Sequence, residues 1–340
     1  MLSGGFGKVG IGRKVKKTDL LLLFKDCRLC PRHCGVNRLN QRKVAPPSFC
    51  GESSLLRVAH VGPHFGEEPP ITGKDGSGTV FFSGCSLKCS ICQNHQISRD
   101  GQGNAISVHD LYNRLEEMIR VDKVHNINLV TPDHFFPHVF ELVTLLRRNG
   151  HDLPVIYNLS GYQSTTLLAW AEDFVDIYLP DFKYANPALS KHLSNCKEYP
   201  SVALDAISVM VRQKGFLDAS VEGTSLAKKG VLVRHMILPG EVQNSMDVLT
   251  SLFLEFGSGL PISLMSQYYP VLPQEGRDLN RPITQEEFDR VYAHALDLGL
   301  ENLYVQFLDN GTSIEGCPPS FLPDFRQKKP FLNTFPKSTS

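Results

Sequence analysis

The sequence predicts an α/β protein: about six parallel strands, each followed by a helix, in a complete or partial (β/α) barrel behind a cysteine-rich amino-terminal extension. Three observations predict it. Downstream of Cys92, short apolar runs alternate with amphipathic segments, as repeated βα units require. Polar residues gather where several of those runs end: Asn158 with Ser160, Asp181 with Lys183, Arg234 with His235, and Gln267 with Tyr268. In a βα barrel that face carries the chemistry. Upstream, GKDGSG at 73 to 78 precedes the first apolar run, whereas a dinucleotide fingerprint would follow a strand and open a helix, so a Rossmann phosphate loop is excluded.

The elements follow in order. TVFFSG is the first barrel strand, and it places the loop from Cys85 to Cys92 at its carboxyl end. Ser107 opens SVHDLYNRLEEMIRV with Asp110 three residues on, a capping-box-like start, and Val108, Leu111, Leu115, Met118 and Ile119 share one helical face. INLV (127 to 130) is a strand, FPHVFELVTLLRRNG a helix closing at Gly150, PVIYN (154 to 158) a strand, TTLLAWA a helix and VDIYL (175 to 179) a strand. A longer helical region over about 187 to 214 leads to VLVRHMIL (231 to 238), a helix from about Ser245, PISLM (261 to 265), a helix from Thr284 with Glu287, and NLYVQF (302 to 307). The expected units are a flexible terminus over 1–18, a cysteine-rich segment over 19–75, the barrel over 76–309 and an irregular or docked tail over 310–340.

A chain of 340 residues fits one large α/β barrel. Lys+Arg and Asp+Glu are equal at 35 each, so the whole molecule offers nucleic acid or an anionic membrane no net attraction. Apolar runs such as LLLF at 21 to 24 fall far short of a bilayer span, and no secretory signal is legible, so a cytoplasmic protein is expected. The acid-free start MLSGGFGKVGIGRKVKK weakly resembles a transit segment; a frayed terminus is the blander reading.

Nine cysteines without an export signal argue for metal or redox chemistry over a disulfide frame. Cys27, Cys30, Cys34 and Cys50 form one group and Cys85, Cys89 and Cys92 another, while Cys196 and Cys317 receive no role. Four thiolates suit tetrahedral zinc or a fully ligated iron–sulfur cluster, with His33 able to replace one. Three thiolates suit zinc only if His95 or a distant group completes the tetrahedron. Held by three cysteines, a cubane of four irons keeps one iron open to chelate the amino and carboxylate groups of a small ligand such as a methionine derivative.

The CxxxCxxC loop after a first strand resembles that of the radical S-adenosylmethionine (SAM) superfamily, and its flanks, GCSLKCSICQN, resemble the pyruvate formate-lyase activating enzymes. HFGEEPPITG (64 to 73), GSGTVFFSGC (76 to 85), INLVTPDHF (127 to 135), VIYNLSGY (155 to 162), DIYLPDFKY (176 to 184) and VRHMILPG (233 to 240) extend the likeness from about Cys27 to Phe307, to the PflX-like activase homologues. The resemblance implies a radical SAM enzyme: its reduced 4Fe-4S cluster cleaves SAM to methionine and a 5′-deoxyadenosyl radical, which abstracts hydrogen from a substrate. It implies Cys85, Cys89 and Cys92 as cluster ligands, Lys183 in the D-x-K of Asp181 to Lys183 as a SAM contact, and Asn158 and Arg234 near SAM. An electron donor such as flavodoxin or ferredoxin, and a protein substrate of activase type, are the implied partners; it names no catalytic residue.

Two departures stand out. Ile91 occupies the position before the last cysteine, commonly aromatic in such enzymes, and LVTPDHF replaces the glycine-rich motif after the second strand, leaving Thr131 or backbone carbonyls for the methionine amino group. A rival within the class is a protein- or RNA-modifying radical SAM enzyme; from another class, a zinc-stapled, non-catalytic binding protein on a barrel scaffold. Glu67 and Glu68 are placed either near the barrel mouth or on a solvated turn. His109, His125, His134 and His151 show no metal spacing, and His134 alone falls on a strand-end loop.

Overall fold

Short, largely apolar strands buried along their length, and apolar faces on the helices between them, set the chain's course. The computed structural model describes residues 20–39, 48–219, 221, 225–308 and 321–331. The terminus expected over 1–18, most of the 310–340 tail, and Cys317 lie outside the described residues. Strand β1 (Arg57–His64) and a short helix α1 (Pro69–Thr72) precede β2 (Ser77–Phe82). Then come α2 (His95–Ser98), β3 (Asn104–Ala105), α3 (Val108–Val121), β4 (Ile127–Val130), α4 (Phe136–Arg148), β5 (Val155–Leu159), α5 (Thr165–Ala171) and β6 (Ile177–Pro180). The chain continues through α6 (Pro187–Ser194), α7 (Tyr199–Lys214), β7 (Gly230–Val231), β8 (Val233–Met236), α8 (Val242–Phe256), β9 (Ile262–Met265), α9 (Gln285–Asp297) and β10 (Leu303–Val305).

Seven strands form one sheet in the order β3-β1-β2-β4-β5-β6-β7, and β10-β9-β8 form a second. From β2 onward every pairing is parallel, while β1 runs antiparallel to β2 and β3. A bridge between Asp181 and Arg234 joins the two sheets, with the Phe182 amide donating to the Arg234 carbonyl at 2.8 Å. The joined run curls. Ile156 and Ile177 of β5 and β6, Leu232, Tyr304 of β10 and Ile71 of α1 share one interior cluster, which a flat sheet could not bring together. The larger cluster lies between the outer face of the strands and the helices, where Leu129, Tyr157 and Tyr178 meet Leu115, Leu142 and Leu168. Burying each such side chain contributes roughly 1.5–3 kcal/mol.

Several expectations hold in detail. Ser107 Oγ accepts from the Asp110 amide at 3.0 Å, and Thr284 with Glu287 closes a full capping box. The helical region over 187 to 214 is two helices rather than one. Asn195 adopts φ 47 at the end of α6, a left-handed cap, and Pro200 sits in the first turn of α7. Helix α8 begins at Val242, three residues before Ser245. Strand β1 belongs to the main sheet although it arises in the segment expected to be a cysteine-rich extension. Gly62 and Pro63 obscured it: Pro63 is tolerated because β3 pairs only with Arg57 and Val58, leaving the rest of β1 an edge on that side.

Candidate metal centre and cavity

Gly84 ends β2 and opens the cysteine loop at φ +79, where a Cβ would lie 2.5 Å from Glu52 Cγ and 2.9 Å from the Cys50 carbonyl. Only glycine lets the amino-terminal segment press this closely on the loop. The three sulfurs that follow each accept a hydrogen bond. The Leu87 amide donates to Cys85 Sγ at 3.3 Å, the Ser194 hydroxyl to Cys89 Sγ at 3.1 Å, and the Ser98 hydroxyl to Cys92 Sγ at 3.4 Å. Burial, then the neighbouring Cys89 sulfur, pushes the Cys85 thiol up to about 12, and the same two causes raise Cys92. The loop therefore holds sulfurs that repel one another once ionised, and positive metal charge would relieve that repulsion.

Arg32 fixes the loop from outside. Its guanidinium donates to the carbonyls of Ser86 at 2.9 Å, Ser194 at 2.8 Å and Asn195 at 2.8 Å, and lies 3.8 Å from the centre of the Phe49 ring. Among the described residues no three His, Cys, Asp or Glu side chains are drawn together as a single-ion site, and His95 does not complete one with the loop cysteines. A cubane asks something different, since its thiolates cap separate iron corners rather than converge on one ion.

Asp181 and Lys183 leave the end of β6 beside this loop. Gly161 makes room for them: at φ +81 its absent Cβ would stand 2.1 Å from the Asp181 carbonyl and 2.7 Å from the Tyr199 hydroxyl, which itself donates to that carbonyl at 2.9 Å. The Lys183 ammonium pairs with the Asp181 carboxylate. Burial opposes its charge, but Asp181 and the sulfurs of Cys89 and Cys92 outweigh burial and raise its pKa.

Glu67 and Glu68 are not on a solvated turn. Both are buried, side chains 7% and 9% exposed, and both pair with Arg234, itself 10% exposed. Arg234 Nε donates to Glu68 Oε1 at 2.8 Å, and Glu67 Oε1 accepts from Asn128 at 2.8 Å and Asn158 at 3.5 Å. Thr131 is half-buried at φ 57 with its amide donating to the Asn158 carbonyl at 2.9 Å; it does not line the cavity.

One cavity of about 250 Å³ connects these groups. Cys89, Cys92, Asp181 and Lys183 line it together with Glu67, Asn158 and Arg234. Ile91 contributes to the lining. The carboxyl-terminal segment over 321–331 supplies a wall, a position no sequence signal foretold. The Phe325 and Phe331 rings each lie 5.3 Å from Phe81 on β2, Phe331 also meets His64 at 4.5 Å, and Gln96 anchors the segment by accepting from the Phe325 amide at 2.7 Å. His134 is a buried structural group, 1% exposed, with Nε2 2.6 Å from the Ser83 carbonyl. His125 and His151 face Asp75 and Glu116.

The amino-terminal cysteines lie on the outer side of the loop. Cys27 pairs with Val36 in an antiparallel bridge, and the Phe49 amide donates to Cys34 Sγ at 3.5 Å. Cys27 and Cys50 are close enough for their charges to raise the Cys30 thiol further, after burial and Asp133. Arg38, 0% exposed, places Nη1 3.5 Å from Cys27 Sγ and otherwise donates to the carbonyls of Glu52, Ser53 and His134.

Residues 71–181, which run from α1 through the cysteine loop to Asp181, match the family described as 4Fe-4S single cluster domain. The chain is 28% identical over 293 residues to the uncharacterized protein MJ0674 of Methanocaldococcus jannaschii, covering 83% of this chain and 78% of that one. Among solved structures, Streptococcus suis SuiB bound to S-adenosylmethionine aligns at TM-score 0.45 and 9% identity over 70% of this chain and 49% of that one. Methylornithine synthase (PylB) aligns at TM-score 0.42 and 15% identity, over 68% and 71%. HydG, a maturase of the FeFe hydrogenase, aligns at TM-score 0.43 and 13% identity, over 65% and 49%. The chain thus spans about half the length of SuiB and HydG.

Proposed function

We infer that the chain is a radical SAM enzyme whose loop cysteines, Cys85, Cys89 and Cys92, hold a 4Fe-4S cluster with one iron left for SAM. The observation that carries this reading is the placement of three hydrogen-bonded cysteine sulfurs after β2, Cys85 and Cys89 buried and Cys92 half-buried, two of them lining one cavity with Lys183. The match of residues 71–181 to a 4Fe-4S single cluster domain supports it. When bound, such a cluster supplies one electron that cleaves SAM to methionine and a 5′-deoxyadenosyl radical.

This chain's residues do the rest. Ser98, Ser194 and the Leu87 amide donate to the sulfurs, which favours their charged form. Lys183 offers its ammonium to a carboxylate, with Asp181 keeping it protonated. Asn158 and Arg234 line the same cavity, and both contact the Glu67 carboxylate. The wall made by Phe81 and Phe331 excludes water from the space between. Iron and sulfide analysis of anaerobically reconstituted protein tests the reading: about four irons at the loop, lost in Cys89→Ala, support it, while stoichiometric zinc at the loop would favour the non-catalytic scaffold.

The set Cys27, Cys30, Cys34 and Cys50 is proposed as a second metal site, zinc or a second cluster; because no three of these side chains are drawn together as a single-ion site among the described residues, a cluster suits the set better. The supporting observation is Arg38, a buried guanidinium with no carboxylate bonded to it among the described residues and a cysteine sulfur at 3.5 Å. A buried cation needs a counter-charge, and a tetrathiolate centre carries one. Metal content of Cys50→Ala decides between zinc, iron and neither. A small electron carrier such as flavodoxin or ferredoxin and an activase-type protein substrate remain the proposed partners.

A further inference from the structure

The charged groups around the cavity are not evenly balanced. Beside the cysteines Lys183 is already paired with Asp181. Two further carboxylates, Glu67 and Glu68, share the single guanidinium of Arg234, and all three side chains are at most 10% exposed. The group carries one negative charge more than it carries positive. Glu67 lines the cavity, whereas Glu68 does not.

Asn128, 0% exposed, donates its Nδ2 to Glu67 at 2.8 Å without itself lining the cavity. His64, on the cavity wall, has an unpartnered ring nitrogen, Nδ1, and burial lowers its pKa, so the ring does not balance the charge. Phe81 and Phe331 supply aromatic faces to the same space. An enclosed excess carboxylate and aromatic rings together favour one chemistry, a protonated amine.

We propose that Glu67 anchors a positively charged amine of the substrate on its side of the cavity, leaving the substrate's reacting carbon between that anchor and the cysteine loop. The second half rests on the reading of the loop as the SAM site; the amine anchor does not. A neutral alcohol would leave the excess charge unanswered, and a carboxylate would be repelled by it in a low-dielectric setting.

Titration of the full-length protein, without cluster or SAM, with benzylamine, benzyl alcohol and benzoate at neutral pH tests the anchor by ligand-observed NMR. The amine is expected to bind on the order of ten-fold tighter than the alcohol, with benzoate weakest; one charge-assisted hydrogen bond accounts for a ratio of that size. Glu67→Gln is expected to abolish the preference, and Glu67→Asp to keep most of it. Equal binding of amine and alcohol, no saturable amine binding, or an unchanged preference in Glu67→Gln overturns the proposal. The wild-type comparison decides by itself if Glu67→Gln does not fold. In cluster-loaded protein, benzylamine is expected to stay bound when SAM is added; displacement by SAM would assign this side to the amine of SAM and overturn the substrate role. Because the first titration needs no cluster, failure of the anchor and failure of the radical SAM reading are told apart.

Discussion

Lys183 occupies the point where charge and position meet. Its side chain is half-buried, 27% exposed, and its ammonium, beside two of the loop sulfurs and Asp181, is raised in pKa against the pull of burial. Replacing it by Met keeps the bulk and removes the charge. That variant is expected to hold its iron yet bind SAM about 10–100-fold more weakly, the scale of a lost charge-assisted hydrogen bond, as equilibrium dialysis with SAM would show. Unchanged affinity would remove Lys183 from the site. The loop cysteines and this lysine were legible in the sequence because their spacing and strand-end placement are local properties. Glu67 was not. Nothing in HFGEEPP says that two adjacent acids fold into a barrel onto an arginine about 170 residues away, since long-range pairing leaves no local pattern. Arg234 was picked out for its strand end, and the structure adds the carboxylates that hold it.

Among the elements, the amino-terminal segment presses closely on the cysteine loop. Gly84→Ala would put a Cβ 2.5 Å from Glu52 Cγ at a positive φ. Backbone strain and displacement of Glu52 together are expected to destabilise the protein by about 2–4 kcal/mol, read as a lowered urea midpoint, and iron retention is expected to fall with it. A midpoint equal to wild type would show that the two segments are not pressed together. The capping boxes and short apolar strands were readable because each is decided within a few residues. The split between α6 and α7 was not, because it depends on Asn195 adopting a left-handed conformation that a continuous apolar pattern hides. The segment over 321–331 was hidden for another reason: its rings have no periodicity, and only Phe81 and Gln96 give them a place.

At the scale of the whole molecule, acid should weaken the fold before it touches the carboxylates of the surface. His134 and His235 are each 1% exposed, and burial pulls their pKa values down to about 3 and about 4. Between those values and the ordinary value near 6.5, the unfolded chain binds protons that the folded chain refuses. Stability therefore falls as pH drops below about 6.5, by up to roughly 1.4 kcal/mol per pH unit for each such histidine. Urea unfolding of the metal-free, reduced protein from pH 7 to 4.5 is expected to show that decline, with a shallower slope in His235→Gln. A flat profile would mean that these rings take up protons in the folded state. No helix among the described residues is long and apolar enough to cross a membrane.

These scales converge on whether sulfur at the end of β2 supports radical chemistry. The direct measurement is chromatographic detection of 5′-deoxyadenosine from SAM, using anaerobically reconstituted, dithionite-reduced protein. The account predicts that 5′-deoxyadenosine accumulates with the wild-type chain and is absent with Cys89→Ala. A fully iron-loaded wild-type protein that leaves SAM intact, or a Cys89→Ala variant that cleaves it equally well, would contradict the account.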